Sequence, residues 1–152
     1  MGKACALSGH RVIKKDFDRE NLKKTIYGII RSGYDIFYLG MARGFDMEGC
    51  RILEKYNEEN TLEKVKIIAC IPCKDQDRYF SEKEKKEYLE CLDKCDEAVY
   101  ISESYINGCM QIRNRYMIDR CDLLLAYLYK NSGGTFYTVS YAQKKEKEII
   151  LV

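Results

Sequence analysis

The chain has 152 residues, of which 46% are hydrophobic and 33% charged, which is typical of one soluble globular domain. Its 26 basic and 24 acidic residues leave a net charge of +2, which makes nucleic acid an unlikely partner because nucleic-acid-binding proteins usually carry a basic face. No apolar stretch approaches the roughly 20 residues that span a bilayer, and residues 1–11 lack the layout of a signal peptide. We therefore expect a cytoplasmic protein without membrane contact.

Strands and helices are predicted to alternate along the whole chain. Asp18 caps the first helix, Gly33 stops it, and Ser81 with Glu84 forms a capping box for the third helix. The third helix is predicted to bury Tyr88, Leu89, Leu92 and Cys95. The third strand is predicted to end at Pro72. The predicted strands cover residues 3–8, 35–39, 65–71, 97–101, 122–128 and 148–152, and the other helices cover 46–59, 110–120 and 135–145.

This alternation of apolar strands and amphipathic helices predicts the fold class. We expect α/β architecture, with residues 1–152 forming a single Rossmann-like domain whose mostly parallel sheet carries helices on both faces. Ligands of such sheets bind at the carboxyl ends of the strands, near the point where the strand order reverses. The loops that follow the strands are therefore the candidate ligand-binding segments.

The eight cysteines are expected to be reduced thiols, because the chain lacks a secretion signal and is too long for a disulfide-stapled miniprotein. Cys70 and Cys73 form a CxxC pair, and Cys91 and Cys95 lie four residues apart, so a zinc or redox site is an alternative. A buried strand end and an apolar helix face explain Cys70 and Cys95 more simply. We expect no metal and no cofactor.

The loop after the first strand contains Ser8, Gly9, His10 and Arg11. Gly9 permits a tight turn and a close approach of a ligand to the backbone. Arg11 offers a planar fork that suits phosphate or carboxylate. His10, the only histidine, either contacts the ligand or makes a local hydrogen bond within the loop.

The loop after the second strand contains Gly40, Arg43, Gly44 and Asp46. Asp46 either caps the following helix or contacts a ribose. The loop does not match GxGxxG, and the chain has no Walker A motif, which disfavours ordinary dinucleotide dehydrogenases and P-loop NTPases.

The loop after the fifth strand contains Gly133, Gly134 and Thr135 at the predicted start of the last helix. Free backbone N–H groups and the positive end of the helix dipole favour an anion there. Alone, the segment also fits a glycine-rich turn with a threonine cap. Arg113 and Asn114 flank the sheet-facing side of the preceding helix and need partners, either in a neighbouring loop or in a ligand.

Taken in order, GHR, GxARGxD, MxxRNxxM and GGTxxT make the chain resemble the YpsA-like branch of the SLOG superfamily, from about residue 6 to residue 143. That superfamily includes the LOG phosphoribohydrolases and the Rossmann-like domain of DprA. The resemblance implies a Rossmann-like fold, a nucleotide-related ligand and a homo-oligomer.

The LOG enzymes carry MxxRKxxM and PGGxGTxxE, whereas this chain has Asn114 in place of the lysine and Thr138 in place of the glutamate. Glycosidic hydrolysis needs a carboxylate near its oxocarbenium-like transition state, which only a residue such as Asp46 or Glu103 could then supply. We therefore expect a module that binds AMP, ADP-ribose or an NAD-like molecule, using Thr138 together with the loop residues named above. The alternatives are a nucleoside-phosphate N-glycosidase or NAD-processing hydrolase, and a DNA-associated protein similar to DprA.

Overall fold

Six parallel strands form one sheet in the computed structural model, which describes residues 2–152; Met1 of the predicted domain lies outside the described residues. The strand order is β4-β3-β2-β1-β5-β6, so the chain moves outward from β1 to β4 and then crosses back to place β5 beside β1. The strands are β1 Lys3–Gly9, β2 Tyr34–Leu39, β3 Lys66–Cys73, β4 Glu97–Ser102, β5 Leu123–Tyr127 and β6 Glu148–Leu151. This order puts the topological switch point between β1 and β5.

Five helices cover the two faces of the sheet, which confirms the predicted fold class. α1, α2 and α3 pack on one face, where Leu22, Leu53 and Tyr88 join one apolar core. α4 and α5 pack on the other face, where Met117 and Val139 join a second core. The helices are α1 Arg19–Arg31, α2 Phe45–Glu59, α3 Glu82–Lys94, α4 Cys109–Arg120 and α5 Gly133–Lys144, and a short 3₁₀ turn spans Gln76–Tyr79.

The capping residues predicted from the sequence for α1 and α3 are found at the starts of these helices. The Asp18 side chain accepts from the Asn21 amide at 3.0 Å, and Ser81 and Glu84 form the predicted reciprocal capping box. The prediction that Leu89 is buried is wrong: the side chain is 55% exposed, and Cys91 faces the core instead. A position directly after Tyr88 turns about 100° away from it on a helix, whereas a position three residues on stays on the same face.

Pro72 lies inside β3 and does not end it. β2 pairs with β3 only as far as Ala69, so the N–H that Pro72 lacks removes no hydrogen bond on that side. On the other side, Ile71 and Cys73 remain in register with β4.

The cysteines differ from the sequence prediction in one respect. Cys50 of α2 and Cys91 of α3 form a disulfide, with their Cα atoms 6.4 Å apart, so the expectation that all eight thiols are reduced is wrong. The two helices pack side by side and bring together residues that are 41 positions apart. The predicted alternative zinc cluster does not form, because Cys70 lies in the core on the opposite face of the sheet from Cys91.

Across residues 2–152, no helix combines the length and the apolar character that crossing a membrane requires.

Candidate functional site

A cleft of about 330 Å³ opens at the carboxyl ends of the strands, where the loops after β1, β2 and β5 meet the starts of α4 and α5. Its volume lies in the usual range for small-molecule sites, roughly 300–1,000 Å³. Of the fourteen predicted ligand-binding residues, eleven line this cleft. They are Ser8, Gly9, His10, Arg11, Gly40, Asp46, Arg113, Asn114, Gly133, Gly134 and Thr135.

The first turn of α5 borders the cleft without a side-chain cap. The helix begins at Gly133, two residues earlier than predicted, so both glycines belong to its first turn. The N-cap residue Ser132 makes no capping hydrogen bond, and Gly133 has a φ of 90°, which favours glycine. A Cβ on Gly134 would meet only the Asn114 Nδ2 atom at 3.9 Å, so the space in front of this turn is open. Uncapped amides at a helix start are suited to bind an anion.

Arg113 is buried and connects α4 to the end of β2 and to β3 through hydrogen bonds. Its Nη1 donates to the carbonyl oxygens of Gly40 and Cys70, which lie at the ends of β2 and within β3. Its Nε donates at 2.7 Å to the Asn114 Oδ1, which leaves the Asn114 amide nitrogen as the donor available to the cleft. Burial lowers the pKa of Arg113, and nearby Asp46 opposes that effect. Arg113 thus positions other groups of the site.

Asp46 supplies the only acidic side chain in the lining of the cleft among the described residues. Its Oδ2 accepts from the Ala42 amide at 3.0 Å, whereas its buried Oδ1 has no hydrogen-bond partner among residues 2–152. Burial raises the pKa of Asp46 to about 6, although Arg113 pulls it down. The alternative that Asp46 is a helix cap is wrong, because the N-cap of α2 is Gly44 and no side chain caps it.

His10 lies at the rim of the same cleft and is 7% exposed. Its ring centroid lies 4.2 Å from that of Tyr129. Its Nε2 has no hydrogen-bond partner within the described part of the chain. Burial, followed by the charges of Lys130 and Lys14, lowers the pKa of His10. The imidazole is therefore neutral at neutral pH and offers one donor and one acceptor.

Three predicted residues lie outside the lining of the cleft. Arg43 forms an ion pair with Glu84 at 3.5 Å and stacks over Phe80, in a smaller neighbouring pocket. Gly44 has a φ of 81°, and a Cβ there would overlap the Arg11 backbone. Thr138 is 1% exposed, and its hydroxyl donates to the Gly134 carbonyl one turn earlier at 2.8 Å.

The sequence reasoning missed Tyr129, Lys130 and Met110, which also line the cleft. Lys130 could have been found, since it follows β5 in the loop that carries the glycines. Together with Arg11 and Arg113 it gives the lining three basic side chains against one carboxylate.

The family of the chain is shown by a comparison of its sequence with models of known protein families. A model of the YspA SLOG family matches residues 9–150. The chain belongs to this family. The match includes all five helices and, from Gly9 onward, the loops after β1, β2 and β5 that line the cleft.

One curated relative and two solved structures show how far the likeness extends. The chain is 29% identical over 123 residues to the Uncharacterized SPbeta prophage-derived protein YoqJ of Bacillus subtilis, covering 71% of this chain and 69% of that protein. DNA processing protein A (DprA) of Streptococcus pneumoniae superposes with a TM-score of 0.74 and 19% identity over 99% of this chain. DprA of Helicobacter pylori gives a TM-score of 0.68 and 20% identity over 98% of this chain.

The two DprA likenesses concern the fold alone, because their identities are low. The chain spans 50% and 64% of the lengths of those proteins. The Helicobacter pylori structure is described as showing a single-stranded DNA binding mode of that protein. The expectation that nucleic acid is an unlikely partner of this chain therefore gains no support from its neighbours.

Proposed function

We propose that the cleft binds a small nucleotide-derived molecule such as AMP, ADP-ribose or an NAD-like compound, with a phosphate at the first turn of α5. The observation that carries this proposal is the uncapped helix start at Gly133, Gly134 and Thr135, which faces open space inside a cleft of ligand size. Backbone amides and the helix dipole together stabilise a phosphate in that position.

The charges around this turn support an anionic ligand. Arg11 and Lys130 are both exposed and line the cleft, so their positive ends reach a ligand without the cost of burying a charge. The Arg11 guanidinium contacts the Met110 sulfur at 3.6 Å. It forms no ion pair with a carboxylate of residues 2–152. These two side chains are the counter-charges that we assign to the phosphate.

The remainder of the ligand is assigned to the interior of the cleft. The unpartnered Asp46 Oδ1 is a hydrogen-bond acceptor that a ribose hydroxyl would satisfy. The Asn114 amide nitrogen adds a hydrogen-bond donor, and the neutral His10 ring adds one donor and one acceptor. A few polar groups that converge on a partly apolar cleft are typical of a small-molecule site.

A thermal-shift panel tests the proposal. The ligands are AMP, GMP, ADP-ribose, NAD and cyclic nucleotides, with inorganic phosphate and a single-stranded oligonucleotide as separate arms. A ligand that binds only the folded state raises the melting temperature by mass action. We expect a saturable shift with at least one nucleotide, and a shift only with the oligonucleotide would instead favour a nucleic-acid site.

Two variants connect the shift to the cleft. Arg11→Ala combined with Lys130→Ala removes the exposed cations, and we expect affinity for the active ligand to fall at least tenfold, corresponding to about 1.4 kcal/mol. Lys24→Ala removes an equally exposed cation on α1, outside the cleft, and should bind like the wild type. Equal affinity in the double variant and the control would overturn the proposed phosphate position.

A hydrolase is the second candidate, and Asp46 is the observation that favours it. Thr138 is buried against its own helix, and Glu103 is 84% exposed and paired with Lys74, so neither brings a carboxylate into the cleft. Asp46, with its pKa raised to about 6, could take a proton from water as a general base. Release of free base or ribose phosphate by the wild type, and its loss in Asp46→Asn, would support this candidate; no turnover at high enzyme concentration would exclude it.

A further inference from the structure

A second cluster of functional side chains lies about α2 and α3, away from the cleft. Cys50, Glu54 and Cys91 each present one ligand atom, and these atoms all lie within 4.8 Å of one another. Cys50 and Glu54 are four residues apart on α2 and therefore share one helix face. Cys91 faces them from α3.

The disulfide explains the two cysteines but leaves Glu54 unexplained. Its Oε1 lies 3.4 Å from the Cys50 Sγ, in a half-buried position. Within residues 2–152, no cationic side chain lies within ion-pair distance of this carboxylate. The positive charges of Lys94 and Arg51 act on this carboxylate only from beyond ion-pair distance. Glu54 therefore has an oxygen that can serve as a third ligand beside the two sulfurs.

The spacing of the helices is compatible with a disulfide and with a bound ion. The two cysteine Cα atoms are 6.4 Å apart, in the upper part of the range of about 4.4–6.8 Å that disulfides span. An ion with Zn–S distances of about 2.3 Å would sit between the sulfurs if they moved apart by side-chain rotation. Thiolate pairs select zinc and other thiophilic cations over Mg²⁺ or Ca²⁺.

We propose that Cys50, Cys91 and Glu54 bind a thiophilic divalent cation, with Zn²⁺ the best fit, once the disulfide is reduced. Two small-molecule thiols reduce the S–S bond to two protein thiols and leave as their own disulfide. The cation then displaces the two thiol protons and is held by two thiolates and one carboxylate. Glu54 also borders an open pocket, which neither cysteine lines.

Cobalt(II) substitution tests the site, because thiolate ligands give cobalt a charge-transfer absorption that oxygen ligands lack. The protein is prepared with a trialkylphosphine, which takes an oxygen atom from water and delivers two electrons to the disulfide. We expect one Co²⁺ per reduced chain with this absorption, displaced by one Zn²⁺, and none on the oxidised chain. Absence of the absorption at saturating Co²⁺ would overturn the proposal.

Variants identify the ligands. Cys50→Ser should weaken both cobalt binding and the thiolate absorption, because one of the two thiolates is lost. Glu54→Gln should weaken cobalt binding at least tenfold, and Cys73→Ser, which alters a thiol elsewhere, should bind like the wild type. Circular dichroism checks that each variant is folded. If a cysteine variant does not fold, Glu54→Gln still tests the site, because it keeps both cysteines. Equal cobalt affinity in Glu54→Gln and the wild type would remove Glu54 from the site. A loss in Cys73→Ser that equals the loss in Cys50→Ser would place the metal on other thiols.

Discussion

Gly40 shows how tightly single residues of the cleft are constrained. A Cβ there would lie 2.8 Å from the Arg113 Nη1 and 3.1 Å from the Asp46 Oδ2. Both side chains are buried, so neither can swing away as an exposed side chain would. The absence of a side chain at position 40 is what lets the guanidinium reach the end of β2.

A pair of glycine substitutions measures this constraint. We expect Gly40→Ala to lower the free energy of unfolding by about 1–3 kcal/mol, the usual cost of overpacking a filled interior. Gly28→Ala is the matched control, because its Cβ would meet only an arginine end at 3.8 Å in the middle of α1. That change should stabilise the protein by about 0.5–1 kcal/mol, since alanine favours a helix interior over glycine. Urea denaturation measures both, and a stable Gly40→Ala protein would contradict the packing described for Arg113.

The raised pKa of Asp46 predicts a pH dependence of stability. Its pKa is about 6 in the folded protein against 3.8 ordinarily, so between these values the folded state binds more protons than the unfolded chain. The contribution of Asp46 to stability therefore increases as the pH falls through 6, and levels off below 4. Relative to Asp46→Asn, we expect the wild type to gain about 2–3 kcal/mol between pH 7 and pH 4. A wild-type-to-variant difference that is constant over this range, measured by urea denaturation, would contradict the burial of the ionised carboxylate.

At this scale, the sequence identified most side chains of the cleft but few of their roles. Motif order placed eleven of the fourteen predicted residues around one cleft. The role of Arg113 depends on a carbonyl 73 residues away, which no local pattern reveals. Thr138 was predicted from its place in a motif, but the helix turns its hydroxyl back onto Gly134.

At the scale of elements, the helix pair α2–α3 is joined covalently. The cysteines close a loop of 41 residues, for which the chain-entropy model gives a stabilisation of about 4 kcal/mol. We expect reduction by a phosphine, with a chelator present to remove metal, to lower the free energy of unfolding by about 2–4 kcal/mol. The double variant Cys50→Ser with Cys91→Ser should show no effect of the reductant. Identical urea transitions of the wild type with and without phosphine would contradict the disulfide.

Helix starts were predictable because capping is local, as at Asp18 and Ser81. The pairing of Cys50 with Cys91 was not, because it depends on how α2 packs against α3. The start of α5 was placed two residues late because glycine favours loops, whereas here Gly133 and Gly134 open the helix beside the cleft.

At the scale of the whole molecule, the sheet order makes the site. β5 crosses back to lie beside β1, and this reversal brings the loops of residues 8–11, 40–46 and 130–135 to one edge. The alternation of strands and helices predicted this α/β architecture. The identity of the ligand and the homo-oligomer stay predictions, because both depend on contacts with molecules outside the chain.

A crystal structure of the protein with the nucleotide that gives the largest thermal shift tests the proposed phosphate site most directly. We expect a phosphate oxygen within hydrogen-bond distance of the Gly134 and Thr135 amides, with Arg11 and Lys130 beside it. A nucleotide bound elsewhere on the molecule, or in the cleft with its phosphate away from the start of α5, would contradict it.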